Sequence, residues 1–179
     1  MIILRDISLR RGARLLFEEA SASIGAGQKI ALTGANGTGK SSLFALLRGD
    51  LALDRGEIEG QGGQRIAHMA QDIAASNTPA ERFVLGGHDT VARLVDALAE
   101  QEARGDFEAV AKTHQALEAC DGYEAQRKAP QLLLGLGFSP ADAARPVADF
   151  SGGWRVRLAL ARALMTPSDL LLLDEPTNH

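Results

Sequence analysis

Two stretches of this chain pair residue types with spacings that could do chemistry. The first is GANGTGKS, Gly34 to Ser41, which fits G-x-x-x-x-G-K-[ST] at every fixed position. Glycine lets backbone close around an anion and take positive φ. The successive N–H groups of Gly34, Ala35, Asn36, Gly37, Thr38 and Gly39 can then converge on a phosphate. A helix beginning directly after the loop adds its positive end. Lys40 supplies a point charge for β- and γ-phosphates. The Ser41 hydroxyl can ligate Mg²⁺, with Ser42 the next residue of the helix. The chemistry implied is capture of a nucleoside polyphosphate with its magnesium ion.

The second stretch is DLLLLDEP, a continuous apolar run ending in two carboxylates. Such a run fits a strand buried on both faces of a parallel sheet, and ligands of such sheets bind beyond the carboxyl ends of the strands. Asp174 is therefore expected beside the phosphate loop as a magnesium ligand, direct or through water. Glu175 is placed to orient and polarise the water that attacks the γ-phosphorus. A third piece, Ser151-Gly152-Gly153 before WRVRLALARALM, is by itself an ordinary helix start with Ser151 at the capping position.

The elements that must position these groups follow from periodicity. MIILRDISL and KIALT read as short strands, and SSLFALLRGD as a helix through Leu43, Phe44, Leu46 and Leu47. GEIEG and RIAHMAQD read as two more strands. From Asp89 the pattern changes: Val91, Leu94, Val95 and Leu98 lie on one helical face. Asp89 or Thr90 can cap this helix and Gly105 can end it. Phe107, Val110, His114 and Leu117 repeat the pattern up to Gly122, giving a helical hairpin. Asp89 to Glu124 carries nine acids against three Lys/Arg. A further helical piece, YEAQRKAPQLLLGLGF, contains Pro130, which marks a helix start or a kink. SPADAA opens a short helix, with Ser139 as cap and Asp142 near its positive end.

The chain has 179 residues, enough for one domain with a core, and a formal net charge of −4. That balance argues against a surface that grips nucleic acid throughout. It leaves room for local basic patches at Arg5, Arg10, Arg11 and Arg14, and at Arg155, Arg157 and Arg162. No apolar run approaches the roughly 20 residues of a membrane span. Arg5 and Asp6 interrupt the opening apolar residues before a signal peptide could form. The single cysteine, Cys120, excludes an internal disulfide and a cysteine metal cluster, and fits a reducing cytoplasm.

Taken in order, GANGTGKS, Gln71 after a strand, a helical insertion, FSGGW and LLLLDEP resemble the ATP-binding cassette ATPases over essentially the whole chain. DEPTNH and FSGGWRVRL are similar to the ABC-F subfamily, soluble twin-cassette proteins that act on ribosomes. The resemblance implies an α/β P-loop fold of ABC type, with an antiparallel β subdomain and a helical subdomain or insertion, ending after the Walker B strand. Residues 1–88 would form the first part of the core, 89–130 an arm-like insertion, and 131–179 the signature helix and leucine strand. It implies Mg²⁺-dependent ATP binding and hydrolysis, with Glu175 and Gln71 catalytic and with Ser41, Gln71 and Asp174 around the metal. Ser151, Gly152 and Gly153 would contact the γ-phosphate held by a second cassette, arranged head to tail. The chain would be the N-terminal piece of a longer protein, weakly active or inactive alone, with the ribosome or its RNA as partner. In FSGGW, Trp154 occupies a position where glutamine is commonest. Two departures stand out: Arg11 lies where an aromatic often stacks on adenine, and the insertion is acidic, so few of its side chains could pair with ribosomal RNA phosphates. The alternatives left open are the ATPase subunit of a membrane transporter, a chromosome-maintenance or DNA-repair cassette, and a fragment that binds nucleotide without turnover.

Overall fold

A computed structural model describes residues 1–69 and 73–174. They fall into two compact units, one of residues 1–66 with 168–172, the other of residues 67–167 and those from 173 on.

In the first unit, β1 (Ile2–Arg11) pairs antiparallel with β2 (Arg14–Ile24) on one side and β3 (Arg55–Glu59) on the other. β1 buries Ile2 and Leu4, then Ile7 and Leu9. The switch from even to odd positions is made at a bulge, where Asp6 takes φ 46°. Ser21 holds that bulge: its hydroxyl donates to Asp6 Oδ1 and accepts the Asp6 N–H, both at 2.9 Å. Helix α1 (Lys40–Arg48) turns Leu47 onto Ile2, Leu4 and Ile7, and ends at a left-handed Gly49. β5 (Leu170–Leu172) adds Leu172 to the same core, with Ile66 at the start of β4 (Ile66–His68) packed against it. The Arg65 guanidinium lies 3.2 Å from Asp169, which lowers the carboxylate's pKa and raises the guanidinium's.

KIALT does not form the expected strand. Residues 28–33 have no ladder partner among the described residues, and Ile30 and Leu32 stay 59% and 42% exposed. An apolar run is a strand only where a neighbour takes its backbone hydrogen bonds. The second strand of the hairpin is instead RLLFEEASASI, which the sequence reading passed over.

The second unit is helical. It contains α2 (Ala80–Leu85), also unforeseen, then α3 (Asp89–Arg104), α4 (Phe107–Ala119), α5 (Gly122–Gly135) and α6 (Gly152–Met165). They share a core of Val84, Val91, Leu117, Leu133, Phe138, Val147 and Leu158. α3 and α4 form the expected hairpin, joined through left-handed Gly105. The cap of α3 is corrected by one position: His88, not Asp89 or Thr90, accepts the Val91 N–H. Gly122 does not end α4, which stops at Ala119; it opens α5, where Leu117 lies too close for any side chain. Pro130 sits inside α5, which continues past it. Pro140–Ala144 is a 3-10 turn with Pro140 at its start and Asp142 answering Ser139. None of the described helices is long and apolar enough to cross a membrane.

Candidate functional site

The loop before α1 has the shape its glycines predict. Gly37 and Gly39 take φ 76° and 106°, and Gly39 is the left-handed residue from which α1 starts. The first helical bond, Leu43 N–H to the Gly39 carbonyl, is 2.8 Å. Gly39 is also a close approach. A Cβ there would lie 3.0 Å from Phe17 Cζ and 3.3 Å from Leu16 Cβ, so β2 runs directly against the loop. The Thr38 hydroxyl donates to the Ala35 carbonyl at 2.9 Å, bracing the turn from inside. Lys40 folds back over the loop, its Nζ donating to the Gly34 and Ala35 carbonyls at 2.7 and 3.1 Å. This holds the ammonium above the ring of amides, where phosphate oxygens could replace the two carbonyls as acceptors. Ser41 is exposed in the first turn and Ser42 is half-buried behind it. Gly34 to Thr38 are open to solvent. The assembly therefore presents a helix N-terminus, glycines in the left-handed region and the Lys40 ammonium over the exposed loop, features that favour an anion.

Arg11 ends β1 on the exposed turn of the hairpin, directly across from Arg14. Sequence reasoning did not single out Leu16, Phe17 or Arg14 as neighbours of the loop. The only signal was the mixed alternation of RLLFEE after a Gly-Ala turn.

In the second unit, Ser151 stands at the N-cap of α6 with extended backbone, yet its hydroxyl makes no capping hydrogen bond. Among the described residues its carbonyl accepts Arg155 N–H at 2.9 Å. A Cβ at Gly152 or Gly153 would meet no atom within 4 Å. The turn thus offers a hydroxyl and helix-terminal amides outward. Trp154 explains its own departure. Its ring meets Phe138 edge to face at 4.7 Å, and Phe138 meets Phe150 at 5.5 Å, so the indole pins the helix start to the core. Arg157 lies over Trp154 and Arg162 over Phe83, both still exposed, while Arg155 Nε is buried with no acceptor among the described residues.

The segment before this turn is tied down on two sides. Val147 and Ala148 N–H groups donate to the Thr78 and Ser76 carbonyls, and Ala80 N–H to the Arg145 carbonyl. Arg145 donates to Asp142 at 2.5 Å and to the Asp149 carbonyl, and covers the Phe150 ring. The Ser139 hydroxyl, then the Ser139 amide and the Arg145 guanidinium, hold the Asp142 carboxyl below its usual pKa. Asp174 is half-buried two residues beyond β5. Gln71 and Glu175 lie outside the described residues. Those residues hold no cluster of three or more His, Cys, Asp or Glu suited to a metal.

The ABC transporter family model matches residues 17–178. The chain is 47% identical over 179 residues to the probable ATP-binding protein YheS of Haemophilus influenzae, covering all of this chain and 28% of that protein. It is 37% identical over 181 residues to the human ATP-binding cassette sub-family F member 3, covering 97% of this chain and 24% of that one. It therefore spans about a quarter of the length of these relatives. Among solved structures, an ATP-binding subunit of an ABC transporter matches with TM-score 0.66 and 19% identity, over 99% of this chain and 67% of that one. A metal-chelate type ABC transporter in an inward-facing conformation matches with TM-score 0.64 and 24% identity, over 98% and 60%. These likenesses fix the fold as that of an ABC ATPase domain.

Proposed function

We propose, given that this chain belongs to the ATP-binding cassette family, that it is the nucleotide-binding portion of a Mg²⁺-dependent ATPase of ABC-F type acting on the ribosome. The observation that carries the nucleotide reading is the Gly39–Lys40 junction, where a left-handed glycine starts α1 and the Lys40 ammonium lies over the loop carbonyls. In this reading the amides of Gly34 to Gly39 cradle the phosphates of ATP, Lys40 neutralises them and Arg11 lies near the base. Ser41, Asp174 and Gln71 are hard oxygen donors, the type Mg²⁺ prefers, and they leave positions for phosphate oxygens and water. When bound, the ion would neutralise charge on the phosphates. Glu175 orients the attacking water, with Gln71 beside it.

Ser151, Gly152 and Gly153 serve a second cassette rather than this chain's own loop. Their unused hydroxyl and open glycines support that assignment. Closure of the two cassettes on ATP would complete each site, and hydrolysis would reopen it. The α3–α4 hairpin would act as the arm within an insertion spanning residues 89–130. Its three basic residues are each paired with a carboxylate one turn away: Arg93 with Asp89, Arg104 with Glu100, Lys112 with Glu108. Such a surface suits a basic ribosomal protein better than RNA phosphates. The sub-family F relative supports the ABC-F part of this reading.

The test is co-sedimentation of the full-length Glu175→Gln protein with 70S ribosomes, with and without ATP. Association that requires ATP is the expected result. Intact ATP binding without association would remove the ribosome from the proposal and keep the cassette.

A further inference from the structure

Arg14 has no assigned task, yet it reaches the phosphate loop. Its Nη1 lies 3.3 Å from where a Cβ of Gly37 would be, in the middle of the cradle. Gly37 holds φ 76° there, a conformation that helps turn neighbouring amides toward one anion. Arg5, Arg48 and Arg65 of the same unit are each paired with a carboxylate. Arg14 has no such partner among the described residues. It also faces Arg11 directly across the β1–β2 pair. Two like charges opposite one another destabilise a hairpin, and a polyanion beside them would relieve that repulsion.

We propose that Arg14 is a nucleotide-contacting residue, its guanidinium donating to the polyphosphate held by the loop, alongside Lys40. The inference rests on the phosphate-loop reading above and adds a second cation to it. A guanidinium suits this task because its fork can meet two phosphate oxygens at once. Contact with phosphate rather than base follows from its position on Gly37, within the loop.

The experiment measures binding of Mg·ATP and of inorganic tripolyphosphate to the full-length protein by calorimetry at two salt concentrations. Arg14→Ala should weaken both ligands by about 5- to 30-fold, the range of one partly exposed charge-assisted contact. It should also reduce the salt dependence of binding. Arg14→Lys should fall between, keeping the charge without the fork. The melting temperature of the ligand-free protein should hold or rise, since a like-charge pair is removed. A purely structural arginine would lower it. Tripolyphosphate affinity within twofold of the parent would overturn the proposal, as would a loss matched by a lower ligand-free melting temperature. If the parent protein binds neither ligand, or Lys40→Ala binds ATP normally, the phosphate-loop reading fails first and this inference with it.

Discussion

Replacing Gly39 by alanine separates the two constraints on the phosphate loop. The first is conformational: φ 106° is a region that residues with a Cβ occupy at a cost of about 1–2 kcal/mol. The second is steric: the new Cβ would stand 3.0 Å from Phe17 Cζ and 3.3 Å from Leu16 Cβ. Crowding of that kind costs about 1–3 kcal/mol in a packed site. Together they predict a loss of about 2–5 kcal/mol in Gly39→Ala. The assay is denaturant unfolding of the full-length protein, with ATP affinity measured alongside. Phe17→Leu removes the Cζ contact, so a double-mutant cycle isolates the steric share. The cycle should return about 1 kcal/mol or more of coupling, and the conformational share should persist in the Phe17→Leu background. A Gly39→Ala protein with the parent's stability and ATP affinity would refute both parts. Full loss with no coupling to Phe17 would refute the packing of β2 on the loop.

Lys40→Ala should lower ATP affinity by about 100-fold or more, since it removes charge-assisted bonds to phosphate. Ligand-free stability should change little, because the carbonyls it now meets are solvent-exposed; calorimetry and a melting curve read the two effects. Gly153→Ala should not destabilise the fold, since its Cβ meets nothing among the described residues, and should abolish most ATP turnover in the full-length protein, read by phosphate release. Acid should loosen the turn at Ser151 through Asp142. Its folded pKa is lowered by the Ser139 hydroxyl, the Ser139 amide and Arg145, so its contribution to stability is complete above the unfolded carboxylate value of about 3.9. That contribution disappears as pH falls through the lower folded value. Protection factors of the amides near Phe150, with exchange rates corrected for their intrinsic pH dependence, should therefore stay constant from pH 8 to 5 and fall only below about pH 4, and Asp142→Asn should flatten the fall.

The phosphate loop was legible because its chemistry and geometry are local. The same glycines that admit positive φ also mark the motif, and Lys40 follows them in sequence. The α3–α4 hairpin was legible for a similar reason: its apolar residues recur at helical spacing and Gly105 ends the run. KIALT failed because a strand depends on a partner that no local pattern names. RLLFEE was passed over because its exposed and half-buried positions blur the alternation. The packing of Phe17 on Gly39 links residues 22 positions apart, so spacing could not show it. The role of Trp154 needed Phe138 and Phe150 around it. In sequence it stands where glutamine is commonest in the family it resembles, and in the fold it is a half-buried residue packed against the core at the start of α6.

The chain uses glycine in two different ways. At Gly39 the reason lies within its own unit: left-handed backbone and an aromatic ring at 3.0 Å leave no space for a methyl group. At Gly152 and Gly153 neither reason holds. Both sit in the first turn of α6, where a methyl group would meet nothing and alanine would favour the helix by up to about 1 kcal/mol. The neighbouring Ser151 hydroxyl is likewise not used to cap the helix it precedes. Three adjacent positions thus give up local stabilisation, and the segments behind them are fastened by Trp154, Arg145 and the Thr78 and Ser76 carbonyls. A firmly held mount under an exposed polar turn fits the proposed contact with a second cassette. The loop folds from its own neighbours, whereas on that proposal the glycines of the turn serve a second body. Stability and turnover should therefore separate cleanly at Gly153 and move together at Gly39.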